Sequence, residues 1–110
     1  MKVKPFMSYN DFFLKVISTS ATYTALTSDE VILGTGGTGG ITINLPSAVG
    51  RKGKYYIVKK IDAGAGAVTL DPYSTQTIDN ASTLALTAQN NVAYIISDGS
   101  NWLVVSKIVG

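Results

Sequence analysis

From residue 21 onward the chain meets a turn former at short intervals. Gly34-Thr35-Gly36-Gly37-Thr38-Gly39, Pro46-Ser47, Gly50-Arg51-Lys52-Gly53, Ala63-Gly64-Ala65-Gly66, Asp71-Pro72, Asp79-Asn80 and Asp98-Gly99-Ser100-Asn101 break it in turn. The runs between them are brief and rich in Thr, Val, Ile and Tyr, residues suited to a pleated surface. No stretch after residue 20 sustains helical spacing. The pattern predicts strands over 21–26, 29–33, 40–45, 54–61, 67–70, 75–78, 83–86, 91–97 and 102–108. Turn signals about every 8–12 residues mark a sandwich or barrel, so the expected fold is all-β: a small antiparallel β-sandwich or barrel-like domain. The firmest local expectation is a hairpin over 91–108, because Asp98-Gly99 supplies a residue that accepts positive φ between two apolar runs.

A chain of 110 residues makes one domain. We divide it into an arm over 1–20 and a β-domain over 21–110. Charged residues are 15% of the chain, against roughly 25% in average soluble domains. A surface of Thr, Ser and Asn, together with apolar faces hidden in an oligomer, accounts for that shortage. The net charge of +2 is too small for a nucleic-acid binder. Without Cys there is no disulfide framework and no thiolate metal site.

The faces of the strands differ. Thr42-Ile43-Asn44-Leu45 alternates cleanly, as a strand with one wet side does. Tyr55-Tyr56-Ile57-Val58, Val92-Ala93-Tyr94-Ile95-Ile96 and Trp102-Leu103-Val104-Val105 are apolar on both sides. A small two-layer domain covers one side of such strands, and the other side calls for a copy of the same chain. The expected partner is therefore the chain itself, as a homo-oligomer and most simply a trimer. The candidate interface residues are Tyr55, Ile57, Tyr94, Ile96, Trp102 and Val104.

Residues 1–20 hold both Met, all three Phe and no Gly. Ser8 with Asp11 at the third position could cap a short helix, and the following Phe12-Phe13-Leu14-Lys15-Val16-Ile17 reads equally well as a strand. A partly extended arm with at most a short helix is expected. Its apolar side chains pack either on the domain itself or on another protein such as a capsid, and Phe6, Met7, Tyr9, Phe12, Phe13 and Leu14 are the candidate anchors. No run of signal-peptide length follows Met1, and none approaches the roughly 20 apolar residues of a membrane span. The chain is expected to be made in the cytoplasm and to insert in no membrane.

Little in the sequence supports catalysis. Gly34-Thr35-Gly36-Gly37-Thr38-Gly39 has the letters of a dinucleotide loop, but a strand-like run follows it rather than a phosphate-binding helix. Gly53-Lys54 lacks the spacing of a P-loop. The absence of His removes the commonest general base and metal ligand. Of Asp11, Asp29, Glu30, Asp62, Asp71, Asp79 and Asp98, the last four fall in or beside predicted turns, where Asp commonly bonds its own backbone. A cation at Asp62, Asp71 and Asp79 would need them to converge, and their spacing is not that of a calcium loop. Asn80-Ala81-Ser82 fits the glycosylation pattern by its letters. Tyr55, Tyr56, Tyr73, Tyr94 and Trp102 form either a sugar-stacking platform or core and interface. Arg51 to Lys60 reads as a basic turn and strand, solvated or facing an acidic neighbour. No enzyme, cofactor or metal is expected.

Gly40-Ile41-Thr42-Ile43-Asn44-Leu45-Pro46-Ser47-Ala48, with Gly50, Gly53 and Tyr56-Ile57-Val58-Lys59-Lys60-Ile61-Asp62, resembles a β-module of phage fibre, tailspike and head-fibre proteins. Val68-Thr69-Leu70-Asp71, Thr77-Ile78-Asp79-Asn80-Ala81, Leu84-Ala85-Leu86-Thr87 and Ser97-Asp98-Gly99-Ser100-Asn101-Trp102 follow in the same order, so the likeness spans residues 21–108. It implies a compact β-fold assembled as trimers into virion appendages. Large fibres append such a module to a long shaft, whereas here only residues 1–20 precede it. The resemblance therefore implies a head fibre or capsid decoration protein on the virion surface, with the major capsid protein or another virion protein as partner. A receptor-binding tail-fibre tip, with a host surface glycan as its partner, is the alternative.

Overall fold

A computed structural model describes residues 13–109 of the chain. The described residues form nine strands: β1 (Val16–Thr19), β2 (Tyr23–Thr24), β3 (Val31–Gly34), β4 (Ile41–Asn44), β5 (Tyr55–Lys60), β6 (Val68–Asp71), β7 (Leu84–Leu86), β8 (Val92–Ser97) and β9 (Trp102–Ile108). The described residues contain no helix. The all-β expectation holds, and eight of the strands fall where the turn spacing puts them.

The strands form two sheets, β1-β3-β5-β8-β9 and β2-β4-β6-β7. Neither closes into a barrel. The expected antiparallel arrangement is corrected to a mixed one. In the five-stranded sheet β1, β3 and β5 run parallel, and β8 and β9 are antiparallel. In the four-stranded sheet β2, β4 and β6 run parallel and β7 is antiparallel. Strands β1 to β6 thus alternate between the sheets, and the chain winds through three stacked coils. Parallel neighbours need a crossover between them. Here a strand of the opposite sheet provides it, so short strands and tight turns look the same in sequence as they would in a meander.

Residues 16–19, assigned to the arm, are edge strand β1, paired in register from Val16↔Val31 to Thr19↔Gly34. Residues 75–78 make no strand. Ile78 forms isolated bridges to Ala81 and Trp102 around a tight turn in which Asp79 and Asn80 adopt φ of 49° and 68°.

The core lies between the sheets. Ile32, Tyr56, Val58, Ala93, Ile95 and Trp102 from one layer meet Ile41, Ile43, Leu45, Val68, Leu70 and Leu86 from the other. Burying a large apolar side chain stabilises the fold by roughly 1.5–3 kcal/mol. Trp102 and Tyr56 are the two largest fully buried side chains among the described residues, their ring centroids 5.5 Å apart and inclined at 49°. The Tyr56 hydroxyl donates to Leu26 O at 2.8 Å.

Two loops of successive coils touch backbone to backbone. The loop after β3 lies against the loop after β5, and a Cβ on Gly36 would sit 2.0 Å from Gly66 O. Gly64 and Gly66 face equally close backbone, at 2.3 Å from Gly37 O and 2.2 Å from Gly40 N. Glycine is required here by proximity, not only by φ.

Candidate interaction surface

Register decides which side chains leave the core, because successive residues of a strand point to opposite faces. On the outside of the five-stranded sheet, one row runs Val16, Val31, Ile57, Tyr94, Ser106. A second runs Ser18, Leu33, Lys59, Val92, Ile108, and a third Tyr55, Ile96, Leu103. Only Ser18, Lys59 and Ser106 interrupt an otherwise aliphatic and aromatic face. Tyr55 and Tyr94 stack on it, centroids 5.5 Å apart at 25°. Tyr94, Leu103 and Ile108 are 36, 42 and 66% exposed, large values for such side chains on a sheet.

The four-stranded sheet is the opposite case. Its outer positions are Thr24, Thr42, Asn44, Thr69, Asp71 and Ala85. Hence the three runs that are apolar on both sides are β5, β8 and β9, adjacent strands of one sheet, and the cleanly alternating run is β4 of the other.

Of the candidate interface residues, Tyr55, Ile57, Tyr94 and Ile96 come together on this apolar face. Trp102 does not: it is wholly buried in the core. Val104 also turns inward and packs against the core. The hairpin explains the difference. Its register pairs Ser97 with Trp102 and Ile96 with Leu103, so Leu103 is the residue that joins Ile96 outside. That parity follows from the four-residue Asp98–Asn101 turn, whose Asp98 carboxylate accepts from Ser100 N and Asn101 N at 2.9 and 2.8 Å. A β-bulge at Tyr94/Ile95 shifts the pairing farther on, leaving Val105 without a partner position and 62% exposed. Val16, Val31 and Leu33 were missed for a different reason: parallel pairing brings β1 and β3 onto the same sheet, and no local signal announces it.

The remaining sequence candidates resolve into structure. The carboxylate of Asp62 occupies the glycine loop, accepting from Gly36 N at 2.9 Å, Gly37 N at 3.0 Å and Gly64 N at 3.1 Å. Lys60, fully buried, donates to the same carboxylate at 2.8 Å. The Lys60 bond, then the Gly36 N–H, drive Asp62 well below the usual carboxylate range, against some burial; Gly37 and Gly64 add to it. The donors that a phosphate would need are already taken by the protein's own acid.

Asp29 is a second internal anchor. Burial raises its pKa, but the hydroxyl of Tyr23, the N–H of Leu26 and the ammonium of Lys15 outweigh that and hold it low. The same bond, with burial and the Asp29 charge, pushes Tyr23 up to about 12. Lys54 reaches the Asp29 carbonyl and lies 4.5 Å from the Tyr56 ring.

The basic run is therefore not a patch: Lys60 is internal, Lys54 is tied down, Arg51 bonds Ser47 O at 3.0 Å, and Lys59 stands alone on the apolar face. The five aromatics form no single platform, since Tyr56 and Trp102 are core, Tyr55 and Tyr94 share the apolar face, and Tyr73 lies apart in a loop. Among the described residues no three acidic groups come close enough to hold a metal. Asn80 sits exposed in the tight turn beside Asp79. Of the candidate anchors, Phe13 is 82% exposed and Leu14 half-buried. Phe6, Met7, Tyr9 and Phe12 lie outside the described residues. No family model matches the chain, and no curated protein matches it in sequence.

Proposed function

We propose that this chain is a structural virion protein of a phage, a trimeric head fibre or capsid decoration displayed on the particle surface and attached through its N-terminal residues. The observation that supports the reading most is the outer face of the five-stranded sheet. A near-continuous apolar surface carrying one charged group, Lys59, has no electrostatic feature to attract a charged partner. Its natural complement is an equally apolar surface, and this chain supplies one in every copy. Stacking the same sheet face around a three-fold axis buries Ile57, Tyr94, Ile96 and Leu103 and leaves the Thr- and Asn-bearing sheet to water. The ordered set of segments resembling phage β-modules carries the virion assignment.

Light scattering on a sizing column tests the assembly: a species three times the 11.6 kDa chain is expected at micromolar concentration. A monomer would refute it. Attachment is tested by removing residues 2–12, which leaves β1 in place. The truncated protein is expected to keep its mass and lose capsid binding, and full decoration by it would remove the anchor from the reading.

A further inference from the structure

Strand β9 is the longest of the described strands and forms one edge of the five-stranded sheet. It is mostly apolar, and Val105 to Ile108 are exposed. An edge strand presents a row of backbone N–H and C=O groups on which another strand can pair. Every copy of the chain brings the same template.

The first part of that edge is already occupied. Residues 77–79 run parallel to it: Trp102 N donates to Thr77 O at 2.9 Å, Asp79 N donates to Trp102 O at 3.1 Å, and Ile78 forms the bridge to Trp102 between them. Asn101 fixes the start of the segment, its side-chain oxygen accepting from Thr77 N at 2.9 Å. In a parallel ladder the next bond would run from Val104 N to the carbonyl of Asp79. The chain does not continue that way. It turns back at Asp79-Asn80, where both residues adopt positive φ and Ile78 exchanges two backbone bonds with Ala81, at 2.8 and 2.9 Å. Val104 N donates instead to the carboxylate of Asp79, at 3.0 Å. The side chain thus takes the place of the carbonyl that the turn has carried off. Positive φ favours Gly, Asn or Asp at this position, and of these Gly has no acceptor to offer.

We propose that Asp79 closes the β9 edge against pairing with β9 of a second copy, and so leaves the sheet face as the surface on which copies meet. A strand approaching β9 must bring a carbonyl to Val104 N. The carboxylate already sits there, and the incoming carbonyl would face its negative charge. Beyond Val104, the bulge at Tyr94/Ile95 and the charge of Lys107 blunt the rest of the edge. The strand to be excluded is another β9, because that is the exposed apolar edge each copy brings in equal number. The proposal deepens the assembly reading above, and rests on it only for the face that is left to use.

The test is light scattering on a sizing column for Asp79→Gly and Asp79→Asn, with amide hydrogen exchange on the unaltered chain. Glycine accepts the positive φ and keeps the turn, so it removes only the carboxylate. Asparagine keeps both the φ and an acceptor for Val104 N. Pairing of two β9 edges is isologous and joins two particles, so Asp79→Gly is expected to reach about twice the mass of the unaltered protein as its concentration rises. Asp79→Asn is expected to stay at the unaltered mass. The Val104 amide of the unaltered chain is expected to exchange far more slowly than an unpaired amide. Asp79→Gly held at the unaltered mass, Asp79→Asn associating as readily as Asp79→Gly, or a Val104 amide exchanging as an unpaired one does overturns the proposal. Both variants are read against the mass of the unaltered protein, whatever that is. A monomeric parent would therefore refute the face contact, and a doubling on Asp79→Gly would still establish the closed edge.

Discussion

Gly66→Ala interrogates the winding of the chain directly. Its added methyl would lie 2.2 Å from Gly40 N, 2.6 Å from Gly36 O and 2.8 Å from Gly40 Cα, all of them backbone. No side chain can swing away, so the two loops must separate by more than 1 Å to reach ordinary contact at 3.4–4 Å. Separation breaks or stretches Gly66 N to Gly37 O at 2.8 Å and Ile41 N to Ala67 O at 2.9 Å, worth about 1 kcal/mol each. Overpacking strain adds about 1–3 kcal/mol, and the stiffer unfolded chain returns about 0.4–1 kcal/mol. The net loss is about 3 kcal/mol, a fall of about 10–20 °C in melting temperature at this size. Gly39→Ala is the control: nothing lies within 4 Å of its Cβ, so a change under about 1 kcal/mol is expected. Thermal unfolding followed by circular dichroism reads both variants. A Gly66→Ala protein melting with the wild type would mean that the loops of successive coils are not stacked, and the alternating path between sheets would fall with them.

Ile57→Lys, at the middle strand of the apolar face, places an unpaired charge in the contact proposed between copies. A cost of about 3 kcal/mol per copy is about a hundredfold in affinity, so monomer is expected on the sizing column, while Thr69→Lys on the polar sheet keeps the assembly. Trp102→Ala is expected to lose about 3–5 kcal/mol in a denaturant melt, whereas Leu103→Thr leaves the fold's cooperativity intact and loosens association; the reverse pattern would refute the parity assigned to β9. Asp62 and Asp29 both titrate below their unfolded values, so the unfolded chain takes up protons first as acid is added. Their contribution is complete above about pH 5 and fades as the pH falls through 4. A melting temperature that is flat from pH 6 to pH 2.5 would contradict it.

The sequence makes eight of the nine described strands, β2 to β9, visible by their neighbours, because Gly, Pro and Asp-Gly turns are local chemistry. It also shows which runs are apolar twice over. What it hides is pairing between distant strands. Val31 and Leu33 read as ordinary core candidates until β3 is placed beside β5, and β1 reads as part of an arm until its register with β3 is known. Trp102 is the instructive miss. Its size draws it toward an interface, yet the hairpin turn already pairs it with Ser97 and fixes it inward. Register was there to be counted. The polar row on the other sheet is the contrary case: Thr24, Asn44 and Asp71 are far apart in the chain and carry no shared motif, and only the coil brings them into one row.

Winding through coils also explains why the two outer faces can differ so completely. In an antiparallel meander each hairpin keeps neighbours in one sheet, and a change of surface character needs a change of region along the chain. Here β1 to β6 visit the sheets in turn, so a strand bearing the apolar outer face is followed by one bearing the polar outer face. Every coil therefore repeats both surfaces, stacking Val16, Val31 and Ile57 on one side and Thr24, Asn44 and Asp71 on the other. The antiparallel strands β7, β8 and β9 end the winding and widen the apolar side by two strands. In the proposed assembly, one side of each coil meets copies of the chain and the other meets what surrounds them. A part that must be held in an assembly while facing outward needs both surfaces at the same level of the stack, and alternation between sheets supplies them.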